Sequence, residues 1–367
     1  MGEGGLGLSR SASPSPLTGE GGVGVARSLE AISRCMAISV EALARPLYLD
    51  TETTGLSGGT GTVPFMVGLA WPQDGDLEVA QYFLCDLDQE RALLWAVGQR
   101  LDRCGVLVTY NGRSFDWPLL QTRLVMARAG GWPAPPHVDL LTLVRRLFKP
   151  RLPDCTLRTV EAGILAMERE DDLAGALIPG RYFGWLSGSP SQLVDAIFAH
   201  NRQDVVSLAA LMTRVDRVLA GEEEMGPSDR FARARYLEAC GFAGEALGEY
   251  RRLWQGNPGP QRGQIGLRLA RLLRRAGCWP EARVVLETCW STQQYPYPAA
   301  VELAKLLEHE ARDLRAARRL VLDALALLEV TAAWDGRWRL DLERRRARLD
   351  RRLRVDSGST EEIALTG

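Results

Sequence analysis

Lysine is almost missing from this 367-residue chain: Lys149 and Lys305 stand beside 43 arginines. Histidine is nearly as scarce, so any imidazole chemistry rests on His137, His200 or His309. The seven cysteines (35, 85, 104, 155, 240, 278 and 289) are odd in number, scattered, and never spaced C-x-x-C. That pattern argues against a disulfide framework and a zinc knuckle, and leaves the cysteines as small apolar residues for burial. No segment approaches the roughly 18 uninterrupted apolar residues that span a bilayer, and the N-terminus lacks the basic-then-apolar order of a signal peptide. The expectation is a cytoplasmic protein with no membrane partner. The glycine-rich GGTGTV (58–63) has neither the Gly-Lys-Ser/Thr of a P-loop nor the third glycine of a dinucleotide fingerprint, and reads as a flexible loop.

At 46% apolar and 25% charged, the composition is that of a globular protein with enough chain for two domains. The net charge of −1 hides a division. From 46 to 220, 15 arginines and Lys149 face 20 acids, giving −4; from 229 to 354, 24 arginines and Lys305 face 16 acids, giving +9. An acidic half suits cations and a basic half suits a polyanion such as nucleic acid, although an arginine-rich base composition of the genome explains single arginines equally well.

Residues 1–27 carry Gly-Gly pairs and a Ser/Pro-rich run that cannot repay ordering by burial, which predicts a disordered tail. Residues 28–45 form a helical lead-in, with Leu29, Ile32, Met36 and Leu43 at helical spacing before Pro46. From 46 to 220 the pattern is that of one domain. LYLD, VPFMVGLAW (63–71) and VAQYFLCD (79–86) predict a three-strand meander. A helix over 90–103, a strand in GVLVTYNG (105–112), a helix over 117–129 and a short strand in HVDLL (137–141) follow, then helices near 156–167 and 191–219. Strands first, then alternating helices and strands, predict an α/β mixed sheet flanked by helices. Residues 221–229 read as a linker, 230–330 as an all-α repeat region, 331–355 as an Arg-rich helix and 356–367 as a disordered tail.

Within the repeat region, GFAGEALGEY (241–250) superposes on GCWPEARVVL (277–286) and RDLRAARRLV (312–321). Gly241 and Gly277 then align at a spacing of 36, and Ala246, Ala282 and Ala317 at 36 and 35. Ala234 and Ala270 add a matched pair. The pattern resembles a degenerate tetratricopeptide array of helix-turn-helix units; a plain helical bundle is the alternative. Arg344, Arg345, Arg346 and Arg348 are interleaved with Asp341, Glu343 and Asp350, so a salt-bridged solvated helix competes there with a nucleic-acid grip.

The chemistry concentrates in three short motifs. Asp50 and Glu52, in LYLDTETTGL, are two apart at a strand end and share one face. Two like charges side by side raise each other's pKa unless a cation neutralises them, so the pair either holds metal or is solvated. Asp116, in YNGRSFDWPLL, opens a helix after the fourth strand, where a carboxylate also serves as a cap. His200 and Asp204, in AHNRQDVVSL, are four apart on a helix and share a face, an arrangement that also makes a plain surface ion pair. The acidic run Glu168, Glu170, Asp171 and Asp172 reads as a solvated helix end.

In that order, D-x-E, N-x-x-x-[FY]-D and [YH]-x-x-x-D resemble the signature of the DEDD superfamily of 3′–5′ exonucleases, whose domain has a ribonuclease H-like fold. The third motif has the four-residue spacing of the branch that carries Tyr, yet this chain has His200 there. That departure, with HVDLL, RYFGWL and HNRQDV, resembles the YprB-type ribonuclease H-like domain family, which has a following repeat region. The resemblance covers about 47–218.

The resemblance implies that Asp50, Glu52, Asp116 and Asp204 hold two divalent cations, Mg²⁺ or Mn²⁺, with Asp50 bridging both. It implies that His200 positions or deprotonates the attacking water, since histidine as a residue type titrates near neutrality. Thr53, Leu56, Asn111 and Phe115 match positions that flank the terminal nucleotide. The expected function is two-metal 3′–5′ exonucleolytic hydrolysis of DNA or RNA, with the repeats open to a protein partner. A nucleic-acid-binding adaptor and a structure-specific endonuclease on the same fold are the alternatives.

Overall fold

The first strand, β1 (Pro46–Thr53), begins with the buried apolar run Leu47, Tyr48 and Leu49 and ends on the polar stretch from Asp50 to Thr53. Its apolar half anchors it in the core, and its C-terminal end delivers carboxylates. The computed structural model describes residues 29–55, 60–169, 173–256, 259–330 and 336–364. β2 (Pro64–Gln73) and β3 (Asp76–Phe83) continue the chain as an antiparallel meander, turned at Asp74 and Gly75, both left-handed with φ of 52° and 93°. An Asp-Gly pair is the turn chemistry that a two-residue hairpin demands. β4 (Val106–Thr109) and β5 (His137–Asp139) then add parallel strands on the other side of β1, giving the order β3-β2-β1-β4-β5.

The helices of this first unit, in chain order, are α1 (Glu30–Met36), α2 (Val40–Leu43), α3 (Glu90–Leu101), α4 (Asp116–Met126), α5 (Leu140–Leu147), α6 (Leu157–Val160), α7 (Ile178–Leu186) and α8 (Gln192–Ala220). α3 and α4 are the crossovers that parallel pairing requires. α8 lies against β1, β2 and β3, with α1 and α7 beside it. Asp216 of α8 accepts from Ile32 N at 2.9 Å and so ties down the lead-in helix. The core under the sheet includes Leu49, Phe65, Leu69, Val97, Leu120 and Ile197, and Tyr182 of α7 stacks on Phe65 at 3.9 Å.

The chain divides into two compact units at Glu224/Met225. The second runs as α9 (Pro227–Ala239), α10 (Ala243–Gln255), α11 (Arg262–Arg275), α12 (Trp279–Ser291), α13 (Pro296–His309), α14 (Leu314–Val330) and α15 (Gly336–Ala364). Each helix packs on the next. The aligned alanines 246, 282 and 317 are all wholly buried, on α10, α12 and α14. Gly241, Gly277 and Arg312 all take positive φ (90°, 75° and 53°) in the turns before those helices, at the same intervals.

Four sequence expectations need correction. The helix near 156–167 stops after α6, widens into a π-helical turn over Glu161–Leu165 and ends at left-handed Ala166. α7 lies where no element was expected. The tail from 356 is helical as far as Ala364, where Glu361, Glu362 and Ala364 favour continuation. The cysteines are not uniformly buried: only Cys289 is, and Cys85 is exposed. Among the described residues no helix is long and apolar enough to cross a membrane.

Candidate active site

Asp50 and Glu52 point to the same face of β1, the face that α8 covers. Across the antiparallel ladder Asp50 stands opposite Gly68 of β2, and Gly68 opposite Gln81 of β3. The absent side chain at position 68 is filled by Asn201 of α8. Asn201 Nδ2 donates to Asp50 Oδ2 at 3.0 Å, and Gln81 Nε2 donates to Asn201 Oδ1 at 3.0 Å and to the Phe198 carbonyl at 2.8 Å. Gln81 thereby fixes which way the Asn201 amide faces, and Asn201 holds one oxygen of Asp50.

Asp116 is buried at the first turn of α4, where the helix dipole favours a carboxylate, and Thr51 Oγ1 donates to its Oδ1. The turn before it is built by Asp139, whose carboxylate accepts from the backbone amides of Asn111 (2.9 Å) and Arg113 (3.3 Å) and also caps α5 through Leu141 N (3.1 Å). Asn111 is held left-handed there at φ 66°, a conformation asparagine tolerates better than most residues.

His200 and Asp204 lie on the same face of α8, with His200 Nε2 3.5 Å from Asp204 Oδ2. One ligand atom from each of Glu52, His200 and Asp204 lies within 4.8 Å of the others. A cation is already present: the guanidinium of Arg169 bonds both oxygens of Glu161 and also Asp204 Oδ1, and its Nη1 stands 3.4 Å from His200 Nδ1. A guanidinium offers only donors, so His200 Nδ1 is the accepting nitrogen in that contact. Glu161 is wholly buried and also accepts from Ser207 Oγ. The π-helical turn that interrupts the α6 segment carries this carboxylate.

The electrostatics are those of a crowded acidic pocket. Burial pushes the Asp50 carboxyl well above the usual range, and Asp204, Glu52 and Asp116 push it the same way, against the Asn201 hydrogen bond. Glu52 is raised by burial and then by Asp204 and Asp116, against the pull of Arg169. Burial lifts Asp116 to about 6 despite its bond from Thr51. Asp204 is raised by burial although His200 and Arg169 lower it. One arginine leaves these four carboxylates under-neutralised. Oxygen donors with one imidazole, their ligand atoms converging, fit a hard divalent cation such as Mg²⁺ or Mn²⁺.

All five residues read from the sequence as catalytic therefore lie around the C-terminal end of β1. Thr53 is buried at that end, its hydroxyl donating to the Gly55 carbonyl at 2.7 Å. Phe115 is the half-buried residue that precedes α4, and Asn111 meets Asp139 through its backbone. Leu56 lies outside the described residues, as do 170–172 of the acidic run. Sequence reading missed Asn201, Gln81, Gly68, Arg169 and Glu161. The signals were faint: a glycine inside an apolar strand, and one arginine within a run of acids.

Residues 47–216 match the family model of the RNase_H superfamily. The chain is 32% identical over 292 residues to YprB of Bacillus subtilis (strain 168), a match covering 77% of this chain and 70% of that protein. Among solved structures, the family B DNA polymerase from the hyperthermophilic archaeon Pyrobaculum calidifontis is similar at a TM-score of 0.39 and 18% identity, over 57% of this chain and 29% of the polymerase chain.

Proposed function

We propose, since the chain belongs to the YprB-type ribonuclease H-like family, that it is a metal-dependent nuclease of the DEDD kind that shortens DNA or RNA from the 3′ end. The observation that carries this reading is the meeting of Asp50, Glu52, Asp116, His200 and Asp204 at one end of β1, with ligand atoms of Glu52, His200 and Asp204 within 4.8 Å. Asp50, Glu52, Asp116 and Asp204 are the residues that would hold Mg²⁺ or Mn²⁺. Cations bound there supply Lewis-acid stabilisation of a phosphoryl oxygen and a water of lowered pKa. The chain's own residues do the rest. Gln81 and Asn201 aim Asp50, Thr51 aims Asp116, and Arg169 partly neutralises Asp204. His200 takes the proton of the attacking water, a role worth roughly 10²–10⁴ in rate. Thr53, Asn111 and Phe115 line the approach as residues that flank the 3′-terminal nucleotide.

For the helical unit we propose a tetratricopeptide-like array that docks a protein partner; the buried alanines and left-handed turns at matched intervals support it.

The test uses 5′-labelled single-stranded DNA and RNA with Mn²⁺, Mg²⁺ or EDTA. The expected result is a metal-dependent ladder shortened from the 3′ end, with His200→Ala slower by about 10²–10⁴. Saturating Mn²⁺ should also raise the melting temperature, and Asp50→Ala should remove that rise. Cleavage of a closed circle at the rate of a linear strand would replace the exonuclease reading with an endonuclease. No cleavage and no Mn²⁺ stabilisation would reject both.

A further inference from the structure

At the opposite end of β1 lies a second feature of the first unit, a cavity of about 240 Å³ floored by Leu47 and walled by Trp71 and Cys104. Three arginines also line it: Arg45 just before β1, Arg100 in α3, and Arg103 just after α3. At about 3.3 Å of rise per residue, β1 sets Pro46 about 20 Å from Glu52, so this cavity is separate from the acidic cluster.

No carboxylate lines this cavity. Some guanidiniums of the unit are matched with carboxylates: Arg123 with Glu90, Arg169 with Glu161 and Asp204, and Arg214 and Arg217 with Glu223. Arg45, Arg100 and Arg103 bond no carboxylate among the described residues, and Asp102, the acid nearest them in sequence, is exposed and outside the lining.

Two of the three are nevertheless held in place by neutral partners. Arg45 Nη1 donates to the Arg103 carbonyl at 3.4 Å, and the Arg100 guanidinium stacks over the Trp71 ring at 4.0 Å. Trp71 is itself steadied by Gln73, which accepts from its Nε1 at 3.1 Å. Groups oriented in this way keep their full charge and lose little freedom when an anion arrives.

A guanidinium fork matches the oxygens of a phosphate in bidentate fashion. At about 30 Å³ of liquid volume per water, the cavity has the capacity of roughly eight waters, well beyond a phosphate alone. The surplus is bordered by Leu47 and the indole, surfaces suited to a sugar or a base. We propose that this cavity binds the phosphate of a nucleotide-sized ligand, at a site distinct from the acidic end of β1. The same phosphate chemistry is offered by a free nucleoside monophosphate and by a nucleic-acid strand, and the test separates the two.

The test is isothermal titration of the full chain in EDTA at low salt, with inorganic phosphate, a nucleoside 5′-monophosphate, the corresponding unphosphorylated nucleoside, and a short single strand with no terminal phosphate. The monophosphate should bind and the nucleoside should not. Arg103→Gln, an exposed and structurally mild change, should weaken binding at least tenfold, as should Arg45→Gln, with melting temperatures held near the parent's. Asp50→Ala should leave this binding unchanged, which separates it from the acidic cluster. Arginine-dependent binding of the unphosphorylated-end strand in place of the monophosphate would also support the site and assign it to the nucleic-acid backbone. Three results would overturn the proposal: no binding of any phosphate compound, binding indifferent to both arginine substitutions, or binding lost in Asp50→Ala.

Discussion

Gly68→Ala is the sharpest probe of how the first carboxylate is held. A Cβ at position 68 would lie 2.1 Å from Asn201 Oδ1, 2.8 Å from its Cγ and 2.9 Å from its Nδ2. The Asn201 side chain cannot swing aside cheaply, because it is wholly buried and is bonded by Gln81 on one side and to Asp50 on the other. Overpacking of this kind costs about 1–3 kcal/mol, and losing a hydrogen bond to a carboxylate adds about 1.5–3 kcal/mol. Part of this is offset, since replacing glycine in a strand restricts the unfolded chain by about 0.4–1 kcal/mol. A net loss of about 2–4 kcal/mol follows for the single substitution.

Asn201→Ala alone should cost about 1–3 kcal/mol through the lost bonds. The double variant decides the matter. With Asn201 truncated, the methyl group added at position 68 has room, and the pair should be no less stable than Asn201→Ala alone, a coupling as large as the Gly68→Ala loss itself, about 2–4 kcal/mol. In calorimetry with EDTA, about 2–4 °C per kcal/mol for a unit of this size makes the difference easy to read. Additive losses would refute the proposed contact between Gly68 and Asn201. Because the Asn201 hydrogen bond opposes the upward shift of Asp50, both single variants should also bind Mn²⁺ more weakly at neutral pH.

Two further outcomes follow from the charges. Asp116 is raised from 3.8 to about 6, so the folded state holds its proton more tightly than the unfolded chain does. Its contribution to stability is therefore present at low pH and lost as pH rises from about 4 to 6, by a few kcal/mol at most. In EDTA, the stability of the parent relative to Asp116→Asn should fall across that window, and a difference that rose with pH would contradict the assignment. Arg169→Ala leaves Glu161 buried without its cation and should cost about 3–5 kcal/mol. Adding Glu161→Gln should recover most of that loss in urea denaturation, and failure to recover would mean that Arg169 acts through packing alone.

What could be read from the sequence was whatever local periodicity encodes. Alternation in LYLDTET placed Asp50 and Glu52 on one face, and helical spacing placed His200 and Asp204 on one face, because both geometries span a few residues. The order of strands and helices then fixed the mixed sheet. The supporting shell lay beyond that reach. Asn201 meets Asp50 across 151 positions and Gln81 across 120. Gly68 is informative only once the helix that fills its empty side is known. Glu161 turns inward because the chain leaves α-helical geometry at a π-helical turn, a change that composition at 156–167 did not signal. Arg169 was hidden in an acidic run and gains meaning from Asp204 on α8.

The basic surplus of the second half calls for the same distinction between composition and placement. Buried acids on its helices gather the arginines: Glu249 binds Arg230, Arg233 and Arg252; Glu302 binds Arg271, Arg274 and Lys305; Glu308 binds Arg345, Arg348 and Arg352. Breaking such a bond leaves a carboxylate buried without its counter-charge, which costs several kcal/mol. An arginine held in this way is a poor candidate to neutralise a phosphate, since gaining one anion means abandoning another. The cations bonded in this way serve first to fasten one helix to the next, while the surplus of +9 between 229 and 354 already counts every acid against a cation. In the first unit, where the local composition is acidic, three guanidiniums without a carboxylate partner gather in the cavity beside Trp71. Net charge counted along a chain does not by itself locate a binding surface; the placement and partners of each guanidinium do.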